Sequence, residues 1–450
     1  MLSFVTSRQL GCAKILVAGL FFSPAMPSLA ADASSASLDG HVANYNNYFL
    51  NNHQIQQNRY ELHLKQTAKM EDLSTVVAGR FRADAALADH KAAVRHDADS
   101  EVRRDEGAES ELRQAYIDYL LGPLRLKIGR QLVDWVDSLT PYASDVITPM
   151  DVRHVGFGTT EQVLVPVDAL SVSHPAPGGQ LEWMAVANPH PHRLPKGPNG
   201  FGYYEAIQKL FGGKDVIVKD EGISRQANEM EGGARFVAYA LGLDLSLLAW
   251  HGHERLPILK ISSQTTTAVE LQQTYAQVNT YGGSLAFSVD AFVGRALMFF
   301  EPRRRLQSFN PANNNPKSEV ELYGQRSRYG IGMDAAFNKH FKLYSESWAN
   351  QVRTIENAEI ADPAQDHVKT DYTFAIRGTN ETFTDWLVTA EAVISSPKHS
   401  SIWTPSVQWT ATTNSRVSVG WRMISSDNPG SSYESLKDAD QVWTSLEYYF

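Results

Sequence analysis

Gln441-Val442-Trp443-Thr444-Ser445-Leu446-Glu447-Tyr448-Tyr449-Phe450 is the stretch that decides the fold class of this 450-residue chain. Val442, Leu446, Tyr448 and Phe450 fall on one face, with Thr444 between them, while Gln441, Ser445 and Glu447 fall on the other. The period is two, which reads as a strand with one apolar and one polar face. A soluble sandwich and a closed membrane barrel could both end on such a strand, so the upstream pattern has to separate them.

The alternation recurs upstream. Val417, Val419, Trp421 and Met423 interleave with Arg416, Ser418, Gly420 and Arg422; Tyr372, Phe374 and Ile376 with Asp371, Thr373, Ala375 and Arg377. Tyr329, Ile331, Met333, Ala335 and Phe337 interleave with Arg328, Gly330, Gly332, Asp334 and Ala336, and Leu124, Leu126 and Ile128 with Arg125, Lys127 and Gly129. Repeated alternating segments of about ten residues, split by turn residues, are the signature of a membrane barrel. Closure is required, because lipid cannot satisfy an open sheet edge. Short turns are expected at 70–72, 122–123, 175–179, 241–243, 281–283, 338–340, 380–382 and 413–415. Longer polar loops are expected at 51–57, 90–111, 133–166, 189–232, 252–267, 301–318, 355–369, 396–401 and 426–440. Short and long alternate, as periplasmic turns and extracellular loops do in single-chain barrels. The fold class is therefore all-β, a transmembrane antiparallel β-barrel of about 18 strands with 16 as the neighbouring solution, running from near Gly40 to Phe450. The chain resembles the outer-membrane barrels of Gram-negative bacteria in ending on an aromatic residue, and that resemblance implies that Phe450 marks the chain for the barrel assembly machinery.

The remaining composition agrees. No stretch beyond the first thirty residues is apolar enough for a membrane helix of about 20 residues. Arg8 and Lys14, the apolar run 15–22, Pro24 and Pro27, and Ser28-Leu29-Ala30 follow the order of a secretory signal. Residues 1–30 are read as a signal peptide cut after Ala30, and 31–450 as one outer-membrane barrel domain. Cys12 is the only cysteine and lies in that leader, which removes disulfides, thiolate metal sites and cysteine nucleophiles from the exported chain. A net charge of −9 argues against a nucleic-acid partner.

With apolar faces turned to lipid, the opposite faces line a lumen. Arg80, Arg82, Asp84, Asp118, Arg125, Lys127, Asp244, Asp290, Arg328, Asp334, Lys342, Glu346, Asp371, Arg377, Asp385, Glu391, Arg416, Arg422 and Glu447 fall there. An ion-selective pore would show rings of one sign. Mixed signs point either to ion-pair networks in a narrowed interior or simply to a lumen filled with water.

Residues 112–151 read Leu112-Arg113-Gln114-Ala115-Tyr116-Ile117-Asp118-Tyr119, a Gly122-Pro123 turn, then Leu124 to Ile128, Gly129-Arg130-Gln131, Trp135 and Asp145-Val146-Ile147-Thr148-Pro149-Met150-Asp151. This hairpin, with Gly-Arg-Gln followed by Trp and an Asp-x-x-x-Pro-x-Asp stretch, resembles a large proteobacterial outer-membrane family catalogued as a domain of unknown function. The resemblance implies a porin-like barrel, often encoded beside exporters of the resistance-nodulation-division type and a periplasmic lipoprotein-like partner. Val136 stands where that family usually has Gly.

Segment 133–166 is too long for a simple hairpin loop, and exposing Trp135, Leu139, Val146, Ile147 and Met150 would be costly. It is expected to fold into the lumen as a constriction, with Asp145, Asp151 and Arg153 meeting wall charges such as Arg130; a compact loop outside the mouth is the other arrangement. The pore and constriction residues are accordingly Arg80, Arg82, Arg125, Lys127, Arg130, Asp145, Asp151 and Arg153. His190, His192, His251 and His253 have no recognisable metal spacing, so no metal or cofactor is expected. Neither a Gly-x-Ser-x-Gly elbow nor a convincing Ser/His pairing occurs, so no enzyme is expected. The expected role is an outer-membrane channel that conducts an amphiphilic or hydrophobic small molecule outward. A diffusion porin for polar solutes and an adhesive barrel working through loop 189–232 are the alternatives.

Overall fold

A computed structural model describes residues 35–50, 54–85, 95–96, 108–136, 138, 146–153, 163–194, 211, 214–220, 222–223, 229–306, 322–356, 368–381, 383–396, 400–426 and 440–450. The leader 1–30 and Asp145 lie outside these residues. The strands are β1 (Ser35–Phe49), β2 (Gln54–Met70), β3 (Leu73–Asp84), β4 (Arg95–His96), β5 (Ala108–Leu121), β6 (Leu124–Gln131), β7 (Val167–Ala176), β8 (Gly179–Asn188), β9 (Asp215–Asp220), β10 (Glu231–Ala240) and β11 (Leu243–His253). They continue with β12 (Ile258–Gln264), β13 (Ala268–Thr274), β14 (Gln277–Val289), β15 (Phe292–Leu306), β16 (Leu322–Ala336), β17 (Phe341–Glu356), β18 (Val368–Asn380), β19 (Trp386–Ser396), β20 (Ser400–Thr412), β21 (Ser415–Ser426) and β22 (Gln441–Tyr449).

Eighteen of these form one antiparallel sheet, each strand pairing with its neighbours along the chain. The sheet closes where β1 pairs with β22, from His41 opposite Tyr449 to Phe49 opposite Gln441. The Gly40 amide donates to the Phe450 carbonyl at 2.9 Å, and the Phe450 amide returns a bond to Gly40 at 3.0 Å. The count is therefore 18, not 16. No helix among the described residues is long and apolar enough to cross a membrane.

The two faces follow the alternation. Met298 on β15 is 51% exposed, whereas its neighbours Leu297 and Phe299 are buried inside the cylinder. Leu446 and Tyr448 look outward while Ser445 is buried within. An apolar exterior suits lipid, and closure leaves no edge strand unpaired.

Two expectations need correction. The turn expected at 281–283 does not exist: β14 runs through it, and the chain reverses at Asp290, which takes a left-handed φ of 52°. Gly282 is there for packing, since a Cβ at this position would sit 2.4 Å from the Phe299 ring. Three of the expected irregular loops also carry strands. Parts of loops 90–111, 189–232 and 252–267 contribute β4, β9 and β12 to a second, four-stranded sheet, which β13, just past the third loop, completes. Its alternating Val216, Val218, Leu259, Ile261, Val269 and Leu271 form a separate core with Leu194 and Phe211 at the long-loop end. The apolar alternations are short, and polar flanks hide them in a sequence reading.

Candidate functional site

The Gly-Arg-Gln motif launches the chain from wall to lumen. Gly129 has φ +124°, and a Cβ there would lie 2.2 Å from the Ala115 carbonyl, so only glycine fits the strand kink. Gln131 is buried and its amide donates to the Ala169 carbonyl at 3.0 Å. The chain then leaves β6, and Val133, Trp135, Val136 and Ile147 bury against the inward faces of β7, β8, β11, β15 and β17. The wall side chains in this cluster are Val167, Ala169, Met184, Val186, Leu248, Trp250, Leu297, Phe299 and Trp348. Trp135 meets Trp250 edge-on at 5.6 Å between centroids. Arg235 donates to the Trp135 carbonyl at 3.2 Å and lies 5.3 Å over its ring. Ser138 reaches across to Glu346 of β17 at 2.7 Å. Val136, at the position where glycine was expected, keeps an ordinary backbone and fills part of this core.

The second half of the segment pairs with itself. The Asp151 amide donates to the Val163 carbonyl at 2.8 Å and the Val165 amide to that of Pro149 at 2.7 Å. Asp151 then enters a buried ion-pair cluster. Its carboxylate meets Arg82 at 2.9 Å, Arg153 at 2.7 Å and Arg193 at 3.8 Å. Glu109 of β5 binds Arg82, Arg153 and Arg193 at 2.8–2.9 Å. Glu111 binds Arg80 at 2.6 Å, Arg193 at 2.7 Å and Arg113 at 3.4 Å. Wall strands β3 and β5, the segment and the chain after β8 are thus tied at one point. Burial removes these charges from water, so each depends on its partners.

A second clamp is Arg255. It bonds Glu231 at 2.6 Å, the His190 carbonyl at 3.1 Å and the Ile147 carbonyl of the segment. Beside it the Met150 amide donates to His192 Nδ1 at 2.8 Å. That bond needs an unprotonated Nδ1. Burial, aided by the neighbouring Arg255 charge, holds the His192 pKa down to about 3.

The structure brings together Arg80, Arg82, Asp151 and Arg153 from the residues singled out in the sequence. Of the remaining residues singled out, Arg125, Lys127 and Arg130 stand elsewhere, and Asp145 lies outside the described residues. Arg125 pairs with Asp118 at 2.6 Å near the short-turn end, and Lys127 lies 4.1 Å over the Tyr116 ring. Arg130, expected to meet the segment, pairs instead with Asp168 at 3.5 Å, on the face shared with the exposed Ile128 and Leu170. Glu109, Glu111, Arg113, Arg193 and Arg255 were missed. The alternation Glu109-x-Glu111-x-Arg113 was the available signal, but it lay in a stretch read as loop. Another cluster, Glu301 with Arg304 at 3.4 Å and Arg328 at 3.2 Å, joins β15 to β16. Below the segment the interior opens: Tyr239, on the inward face of β10, is 71% exposed. The described residues hold no group of three or more metal-ligating side chains.

Solved structures with this architecture include Acinetobacter baumannii OccAB1, with a TM-score of 0.54 at 7% identity, covering 94% of this chain and 99% of that one. Pseudomonas aeruginosa OccD3 (OpdP) follows with a TM-score of 0.50 at 10% identity, covering 93% and 92%. Acinetobacter baumannii OccAB2 also scores 0.50, at 8% identity, covering 93% and 98%. At these identities the likeness concerns the fold, a porin-like outer-membrane barrel. No curated protein matches the sequence. The profile of one family does match, across residues 9–450, so the chain belongs to the family described as "Protein of unknown function (DUF1302)".

Proposed function

We propose that this protein is an outer-membrane channel whose lumen is constricted by segment 133–166 and which conducts an amphiphilic or hydrophobic small molecule out of the cell. One observation carries the reading: the segment buries Trp135, Val136 and Ile147 against an apolar inner wall, Trp250, Phe299 and Trp348 included. A porin for polar solutes has no use for that surface, because water fills its lumen. An apolar inner wall offers a path to a greasy solute once the segment moves aside. The ion pairs at Asp151 and the Arg255 clamp hold the segment in place. The outward direction, and the partnership with a resistance-nodulation-division exporter and a periplasmic lipoprotein-like protein, rest on the family resemblance. Arg80, Arg82, Asp151 and Arg153 are the constriction residues on this reading; Arg125 and Lys127 line the short-turn vestibule.

Planar bilayer recording tests it. Removing residues 137–162 should raise single-channel conductance severalfold, since an 18-strand cylinder is wide enough for a water-filled channel. Wild-type protein in liposomes should admit sugars slowly, and the deletion variant rapidly. Rapid sugar flux through wild-type protein supports the diffusion-porin alternative. Unchanged conductance in a correctly assembled deletion variant rules out the constriction.

A further inference from the structure

Across the lumen from the apolar cluster, the inner wall at the seam carries a guanidinium that the ion-pair anchor leaves aside. Arg59 of β2 is buried opposite Tyr45 of β1, and its guanidinium carbon lies 4.8 Å over that ring. Glu61, two residues along the same strand, is 3.9 Å from Arg59 Nε, beyond hydrogen-bond reach. That Nε is enclosed and has no hydrogen-bond partner. Asn47, the next inward residue along β1, is buried too, and its amide oxygen is likewise without one. The register pairs Asn47 with Gln57 and Tyr45 with Arg59, so Asn47 and Arg59 are diagonal neighbours, about 7–8 Å apart between backbones. Enclosed polar groups without partners cost free energy, and a ligand that meets both recovers it.

Charge and shape narrow the ligand. Among the described residues, the anchor at Asp151 joins five guanidiniums to three carboxylates. Arg59 makes six guanidiniums; Glu61 and Asp84, opposite Arg82 and Arg59 in the register, make five carboxylates. One positive charge is left over, which suits a monoanion, and a guanidinium fork matches the two oxygens of a carboxylate. Beside it Ala43 and Tyr45 form a small apolar cluster with Trp443, whose ring fills the space that a Cβ on Gly420 would need. An apolar tail next to the carboxylate therefore has a surface to lie on. The position also bears on the constriction. Arg82, diagonal to Arg59 across β2 and β3, is the wall residue that holds Asp151 at 2.9 Å.

We propose that Arg59, with Asn47, binds the carboxylate of the conducted amphiphile, its tail on Tyr45 and Trp443, and that the bound anion loosens segment 133–166 by giving Arg82 a partner in competition with Asp151. This inference rests on the constriction reading above. The bound carboxylate also sets a like charge beside Asp151, so docking of the segment weakens on two counts. A neutral molecule of the same shape gains nothing at Arg59 and leaves the anchor intact.

The test is single-channel recording of the full chain in planar bilayers at neutral pH and about 0.15 M KCl, where enclosed charges are little screened. Octanoate is the probe and octanol its uncharged control. Octanoate should raise the open-level occupancy of wild type, and octanol should not. Arg59→Gln should need about tenfold more octanoate for the same occupancy, the loss expected when a charge-assisted fork becomes a neutral hydrogen bond. Arg59→Lys, which keeps the charge without the fork, should fall in between. A gel shift between unboiled and boiled samples equal to that of wild type shows that each variant folds. Octanol opening wild type as well as octanoate does, or Arg59→Gln responding like wild type, would each overturn the proposal. The 137–162 deletion separates it from the reading beneath. If that variant conducts no better than wild type, the constriction falls and the release step with it. If it conducts better while octanoate leaves wild type closed, the constriction stands and the Arg59 proposal falls.

Discussion

Replacing Asp151 with alanine removes, among the described residues, the carboxylate that the segment contributes to its charged anchor. In the folded chain this side chain is almost fully enclosed and holds Arg82 at 2.9 Å and Arg153 at 2.7 Å, with Arg193 at 3.8 Å. Without it, Arg82, Arg153 and Arg193 converge on Glu109, and Arg193 also on Glu111, which already serves Arg80 and Arg113. Removing one member of a buried pair costs about 3–5 kcal/mol, because the charge left behind stays desolvated. Glu109 still neutralises part of the excess, so the lower end applies, about 3 kcal/mol. That cost falls on the docked segment, because an undocked one exposes Arg82 to water. The docked-to-undocked ratio should therefore drop about two orders of magnitude. In planar bilayers Asp151→Ala should show frequent excursions to the high-conductance level of the 137–162 deletion. Asp151→Asn, which keeps an acceptor oxygen, should show fewer. A conductance histogram identical to wild type, from a variant whose barrel is intact, would refute the anchoring argument.

Three further outcomes follow from the same geometry. Unboiled protein should migrate differently from boiled protein in a denaturing gel, since the closed ladder from β1 to β22 resists detergent; equal mobility with a helical circular-dichroism spectrum would contradict the fold. Deleting Phe450 removes both bonds to Gly40 at the seam and should sharply lower outer-membrane levels, as read by immunoblot of membrane fractions. Acid should loosen the segment through His192. The docked ring stays neutral down to a pH of about 3, while an undocked ring takes up a proton near 6.5. Docking then weakens by about 1.4 kcal/mol per pH unit as pH falls below 6.5. Open-level occupancy should rise between pH 7 and pH 4, and His192→Gln should flatten that dependence; an equally steep profile in the variant would remove His192 from the explanation.

The sequence by itself determined that this chain is a barrel and which face of its clearly alternating strands meets lipid. Period-two alternation in 441–450 and 415–426 is a local property, and the bilayer makes its apolar half unambiguous. The departure of the chain after Gly129-Arg130-Gln131 was marked in the sequence by the family resemblance and by the length and apolar content of the stretch that follows. Depth and partnership were not legible. The period places Arg82 and Arg130 on faces, but it cannot say that Arg82 meets Asp151, 69 residues away, while Arg130 meets Asp168. The Tyr281-Gly282-Gly283 run resembled a turn because its purpose, room for the Phe299 ring from the neighbouring strand, exists only after pairing. Glu109 and Glu111 stayed hidden because strand β5 extends into a stretch whose polarity reads as loop. Burying polar residues there becomes favourable only when Arg80, Arg82 and Arg193 arrive from other parts of the chain. Which charges face one another across the lumen is fixed by closure of the cylinder, and closure is a contact between the first strand and the last.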